Sequence, residues 1–143
     1  MKIETTRFGT VSLEEEKILG MPFGMLGFPD KNRFVILQHK EGSPFYWYQS
    51  VDDPALAFVI TSPLLFMPDY EVDTKNVLME MPWDKIGDAL EFYVVVNIPK
   101  GLPEKMTANL IGPILINNKT RQAVQIVMPD SPYTHNHPLI IQD

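Results

Sequence analysis

FYWYQSVDDPALAFVITSPLLFMPDY, residues 45–70, is the densest apolar stretch of the chain. In an extended segment successive side chains alternate, so Phe45, Trp47 and Gln49 share one face of residues 45–50 and Tyr46, Tyr48 and Ser50 the other. Aromatic residues of this kind fit pleated surfaces, which predicts a strand. Asp52, Asp53 and Pro54 then supply turn chemistry: Asp side chains bond their own backbone, and the residue before a proline is pushed out of the helical region. The following run, residues 56–61, is continuously apolar, short for a helix and rich in β-formers, which suits a second strand covered on both faces. Pro63 ends it, and the interval to Pro68 leaves room for a single helical turn. Residues 69–71 return to polar alternation.

The rest of the chain conforms to this pattern. Thirteen prolines in 143 residues, about 9%, exceed the usual roughly 5% and are spread throughout, so they punctuate one unit instead of marking a linker. An interior proline costs a helix about 3 kcal/mol, whereas intervals of five to ten residues suit strands. The expected fold is therefore all-β, mainly antiparallel: a single domain over residues 1–143, with 129–143 a polar, proline-rich tail. About nine short strands would close, or nearly close, into a small β-barrel or roll with one or two short helical turns, because closure removes exposed edges.

In order, residues 3–8 and 10–13 read as an opening hairpin split at Gly9. Ser12 and Glu15 match a capping box that would start at most one turn. Residues 18–23 read as extended, residues 24–29 as a compact turn permitted by Gly24 and Gly27, and residues 34–38 as a buried strand. Beyond Tyr70 the pattern weakens. Residues 72–81 fit neither period, and 83–90 suggest a short helix. Residues 90–98, LEFYVVVNI, are the strongest β signal and predict a central strand. Residues 106–111 and 114–116 come next as strands, with hairpin chemistry at 117–120 and a return strand at 123–128.

Twelve Lys and Arg against 18 Asp and Glu give a net charge of −6, the wrong sign for a protein that tracks phosphates, so direct nucleic-acid binding is not expected. The absence of cysteine removes disulfides and thiol chemistry. No signal-peptide pattern opens the chain and no run of about 18 apolar residues exists, which points to the cytoplasm and away from the membrane. No phosphate loop or nucleophile elbow is present, and no catalytic residue, metal site or cofactor is expected. His135 and His137 could form half of a metal site, but His39 is the only other histidine, and a solvated tail is the simpler account. Asp52 and Asp53 would point to opposite faces and read as turn residues, not paired glycosidase acids. The aromatic block, residues 45–58, leaves open a small-ligand or carbohydrate-binding domain, or an enzyme. As a base-stacking platform it lacks the expected escort of Lys and Arg.

The ordered landmarks Phe23-Gly24-x-Leu26-Gly27-Phe28, Phe45-x-x-x-Gln49-Ser50, Asp53-Pro54-x-Leu56-Ala57-Phe58, Pro63 and Pro68-Asp69-Tyr70 resemble those of the flagellar assembly factor FliW family. Asn109-Leu110-x-x-Pro113-Ile114-x-Ile116-Asn117, Arg121, Gln125 and Tyr133 are similar to its C-terminal half, while residues 72–90 show no match. The resemblance implies a small, non-enzymatic cytoplasmic protein with two alternative partners, flagellin and the RNA-binding translational repressor CsrA. FliW held by flagellin would leave CsrA free to silence flagellin mRNA; export of flagellin would release FliW to capture CsrA and restore translation. A monomer is favoured.

Two groups of residues are candidates for partner binding. Asp69, Glu71 and Asp73 alternate after Pro68, so in an extended edge strand their carboxylates would form one row, with Tyr70 and Val72 turned into the fold. Such a row suits a basic partner such as CsrA. Glu14, Glu15 and Glu16 are a second acidic patch. Asn117 and Asn118 form the other candidate group, at a hairpin, although Asn109, Pro113 and Asn117 are expected to serve structure at least as much as binding.

Overall fold

The computed structural model describes residues 1–38, 40–72, 83 and 90–139. Its strands are β1 (Lys2–Thr5), β2 (Gly9–Ser12), β3 (Leu19–Gly20), β4 (Arg33–Gln38), β5 (Phe45–Ser50), β6 (Ala57–Thr61), β7 (Leu90–Asn97), β8 (Thr107–Ala108), β9 (Ile114–Asn117), β10 (Gln122–Gln125) and β11 (His137–Pro138). Three-residue 3₁₀ turns occupy Glu15–Lys17, Pro63–Leu65 and Pro103–Lys105. The protein is all-β among the described residues.

β1 and β2 form a hairpin of their own, and the other nine strands make one sheet whose hydrogen bonds return on themselves. The ring runs β7–β6–β5–β4–β3–β10–β9 and closes through a second edge of β7 on β9, with β8 and β11 continuing outward from β7. Every pairing is antiparallel except β3 with β10, a single parallel pair of Gly20 with Gln122. Residues 90–97 are thus the central strand: the N-terminal half of β7 pairs with β9 and the C-terminal half with β6 and β8.

The interior of the ring is filled by Leu19, Met21, Phe34, Tyr48, Ile60, Ile114, Ile116 and Ala123. The alternation in β5 assigns its faces: Tyr46 and Tyr48 point inward, where Tyr48 stacks on Phe34 with centroids 4.6 Å apart, while Trp47 points out. Burying a side chain of this size is worth about 1.5–3 kcal/mol. The Tyr48 hydroxyl lies 3.0 Å from the Met21 sulfur, and burial raises its pKa well above the usual phenol value. Outside the ring, Ile3, Val35 and Val51 pack beneath the β1–β2 hairpin. Tyr70, Val94, Val96, Leu110 and Leu139 cover the outer face of β7 and β8.

Several expectations need correction. Ser12 lies in β2 and caps nothing; Glu14 precedes the 3₁₀ turn without a side-chain cap bond. Residues 18–23 contribute a strand of only two residues, Leu19–Gly20. The strand expected at 106–111 shrinks to Thr107–Ala108, because Asn109 Oδ1 accepts the N–H groups of Ile111 and Gly112, both at 3.1 Å, and turns the chain out of the ladder. The C-terminal segment is not a solvated tail as far as residue 139: β11 pairs with β8, the Leu110 N–H donates to Thr134 at 3.0 Å, and Leu139 is buried. His137 stacks on Phe66 at 6.1 Å, whereas His135 is exposed. The expectations for 73–81 and 84–89 lie outside the described residues. Trp83 is buried with Leu115 and Val124, its indole N–H donating to Gln122 at 2.9 Å.

Candidate functional site

Residues 63–72 leave β6 and carry the first candidate group. Pro63 opens the 3₁₀ turn at a position where its missing N–H is no loss, and the N–H groups of Met67 and Tyr70 then bond back to Pro63 at 2.9 Å and Met67 at 3.0 Å. Tyr70 anchors the end of this segment. Its ring is buried 4.6 Å from that of Tyr133, and its hydroxyl donates to the Leu110 carbonyl at 2.6 Å. Burial, and secondarily Tyr133, raises the Tyr70 pKa, so this donor stays protonated. Tyr133 in turn accepts the Glu71 N–H at 2.9 Å.

Asp69 and Glu71 flank this anchor, both exposed, while Tyr70 is buried and Val72 half-buried. The expected edge strand is absent, since Pro68 and Asp69 form a turn and residues 70–72 pair with no strand among the described residues. The Tyr70 hydroxyl bond to Leu110 and the Glu71 N–H bond to Tyr133, not a ladder, fix the direction of the acids. Asp73 lies outside the described residues. Beside Glu71 a cleft of about 410 Å³ is lined by Val72, Met128, Asp130 and Tyr133 among others.

The second candidate pair divides into two roles. Asn117 is buried at the end of β9, and its Oδ1 accepts the N–H of Lys119 at 2.9 Å and of Thr120 at 3.3 Å. It holds the β9–β10 turn. Asn118 is exposed, donates to Glu91 at 2.8 Å and accepts from the Arg121 guanidinium at 2.9 Å. Arg121 takes a left-handed backbone, φ 54°, and also donates to the Lys17 carbonyl at 3.1 Å. No hydrogen bond or ion pair among the described residues joins this turn to Asp69 or Glu71. Glu15 and Glu16 sit in the exposed 3₁₀ turn, next to Glu14.

Other landmark residues hold turns. Gln49 is fully buried, and its amide N–H donates to Ser50 at 3.0 Å and reaches the carbonyls of Asp53, Pro54 and Leu56 at 3.2–3.4 Å. The Ser50 hydroxyl accepts the Asp53 N–H at 3.0 Å, so Gln49, Ser50, Asp53, Pro54 and Leu56 form one hydrogen-bonded loop. Gln125 ties the turn at 24–28 to the sheet, accepting the Leu26 N–H and donating to Gly112, both at 2.9 Å. Arg33 holds Asp52 in an exposed ion pair that lowers the Asp52 pKa.

Alternation alone does not reveal the outward aromatic corner. The Arg7 guanidinium lies 4.3 Å over the Trp47 ring and Phe8 meets that ring edge-on at 5.9 Å. Register could have found it: Trp47 lies opposite Leu37 on one side and Val59 on the other, an outward apolar row. Among the described residues no group of three or more His, Asp or Glu side chains is placed to hold a metal ion, and no helix is long and apolar enough to cross a membrane.

A profile of the family described as FliW protein matches residues 2–139. Flagellar assembly factor FliW of Geobacter sulfurreducens is 42% identical over 142 residues, spanning 99% of this chain and 88% of that protein. Flagellar assembly factor FliW of Alkaliphilus metalliredigens is 37% identical over 139 residues, spanning 96% and 85%. A crystal structure of the flagellar assembly factor FliW superposes with a TM-score of 0.87 at 32% identity, covering 99% of this chain and 98% of that one. With family profile, relatives and fold agreeing over nearly its whole length, the chain belongs to the FliW family of flagellar assembly factors, regulatory proteins that are not enzymes.

Proposed function

We propose that this protein is a cytoplasmic switch that binds flagellin and, alternatively, the translational repressor CsrA. Held by flagellin it leaves CsrA on flagellin mRNA; released when flagellin is exported, it captures CsrA and translation resumes. The observation that carries the CsrA half is the pair Asp69 and Glu71, exposed on a segment anchored by Tyr70 in a chain of net charge −6. A protein that grips RNA presents cations, and carboxylates on a preorganised support attract that surface without ordering a loop first. Asp73 would extend the same acidic segment. Asn118 would be a polar contact on the second surface, with Asn117 supporting it from below.

Neutralising the segment tests this. The variant Asp69→Asn, Glu71→Gln, Asp73→Asn is expected to keep its melting temperature, because the two described acids are exposed and make no ion pair among the described residues. Its association with purified CsrA should slow, and the dependence of that rate on salt should flatten, since rim charges act mainly on encounter. An unchanged association rate at low salt moves the CsrA surface elsewhere on the molecule. A change seen for flagellin alone reassigns the segment to that partner.

A further inference from the structure

β3 is shorter than the strand it pairs with. It offers β4 only the pairs Leu19 with Phe34 and Gly20 with Arg33, while β4 runs on to Gln38. Bonded and non-bonded pairs alternate along an antiparallel ladder. The Val51 N–H donates to the Arg33 carbonyl, so Arg33, Val35 and Leu37 bond toward β5, and Phe34, Ile36 and Gln38 turn their N–H and C=O groups toward β3. Leu19 meets Phe34, but among the described residues nothing pairs with the backbone of Ile36 or Gln38 on that side. This open edge borders a cleft of about 600 Å³ whose lining includes Ile36, Ile116, Lys17, Glu91 and Arg121.

The segment just before β3 is in register to pair with that edge. Continuing the ladder beyond Leu19 and Phe34 sets Lys17 opposite Ile36 and Glu15 opposite Gln38, both at bonded positions. Instead Glu15–Lys17 form a 3₁₀ turn with no buried residue and no side-chain cap, between Glu14 and Ile18, whose backbones are already extended. Three bonds hold the turn: the Lys17 N–H to Glu14 at 2.9 Å, the Ile18 N–H to Glu15 at 3.1 Å, and the Arg121 guanidinium to the Lys17 carbonyl at 3.1 Å. Pairing with β4 would exchange these three for four, two at each new bonded pair. Arg121 makes its bond at a cost, since its backbone is left-handed at φ 54° and its Nε is buried with no partner.

We infer that residues 14–18 are a strap with two positions: the observed 3₁₀ turn, and an extended one that lengthens β3 back to Glu15 and closes the cleft. Leu19 faces the interior of the ring, so alternation turns Lys17 and Glu15 inward in the extended strap and leaves Glu14, Glu16 and Ile18 outward. Lys17 then points to the mouth of the ring, where Glu91 lines the cleft. The acidic patch of Glu14, Glu15 and Glu16 is split between two faces. The Arg121 guanidinium, released from Lys17, keeps its bond to Asn118 at 2.9 Å. One bistable element thus couples the acidic patch to the β9–β10 turn, and whatever binds one surface in a single position of the strap shifts the other.

A disulfide trap tests for the second position, in a chain that has no cysteine of its own. A bonded antiparallel pair sets its Cα atoms about 5.5 Å apart, within disulfide reach. Glu15 and Gln38 are both exposed, so the variant Glu15→Cys, Gln38→Cys is expected to fold. Under mild oxidation it should close an intramolecular disulfide, and the oxidised form should exchange its Ile36 amide hydrogen at least about tenfold more slowly than the reduced form. Arg121→Gly removes the guanidinium and relaxes the left-handed backbone. In it the Ile36 and Gln38 amides should exchange at least about tenfold more slowly than in the wild type, while Val35 and Leu37, bonded to β5, keep their rates. The proposal is overturned if the folded cysteine pair stays reduced, if the disulfide closes without slowing Ile36, or if folded Arg121→Gly exchanges both amides at the wild-type rate. Should Arg121→Gly fail to show a cooperative melt, the cysteine pair alone decides.

Discussion

Gly24 shows how much a single residue of this chain can be constrained. Its φ of +66° lies in the left-handed region, and a Cβ there would stand 2.4 Å from the Phe28 carbonyl oxygen. Gly27 has φ +85° but nothing within 4 Å of such an atom. The two alanine variants therefore separate strain from collision. Gly27→Ala should cost about 1–2 kcal/mol from backbone strain alone. Gly24→Ala should cost about 2–4 kcal/mol, since strain and overpacking add. Denaturant midpoints measure both, and equal midpoints for the two variants would contradict the close approach. The same turn carries Phe23 and Leu26 at 53% exposure each, held by the bond from the Leu26 N–H to Gln125.

Turns, more than strands, occupy the recognisable residues of this chain. Asn109 ends β8 and Asn117 ends β9, each by accepting two backbone N–H groups. Asn109→Ala and Asn117→Ala should each lower stability by about 1–3 kcal/mol, the range for leaving backbone donors unsatisfied, and show it in the melting temperature. Either variant melting like the wild type while losing a partner complex would make that residue a contact instead. Their roles were half legible in the sequence. The pattern of apolar and β-forming residues found β5 to the residue and β6 to within one, because both lie in the ring with a buried inner face. It overextended residues 106–111, where apolar content is equally high but the Asn109 side chain competes with the ladder for backbone donors. It also put Asp69 and Glu71 on a strand, where a tyrosine anchor does the work of pairing. Tyr133 lies 62 residues beyond the Glu71 N–H it accepts, and Gln125 lies 99 beyond the Leu26 N–H; no local pattern predicts such partners. The acids themselves were legible as exposed, flanking a buried tyrosine. The outward apolar row of Leu37, Trp47, Val59, Val96 and Ala108 was not, because it exists only once five strands are in register.

At the scale of the whole molecule, closure of the ring through β7 and β9 satisfies the edges that an open sheet would expose. The candidate surfaces are then parts that project from the ring: the segment at 63–72 and the β9–β10 turn. In the function we propose, the acidic segment attracts the RNA-binding repressor, and the repressor and the filament subunit bind alternately. Mixing purified protein, flagellin and CsrA in equal amounts on a sizing column, with each binary mixture alongside, tests this most directly. Two binary complexes are predicted, with added flagellin displacing CsrA in the three-way mixture. Failure to form either binary complex, or a stable species containing all three proteins, would contradict the account.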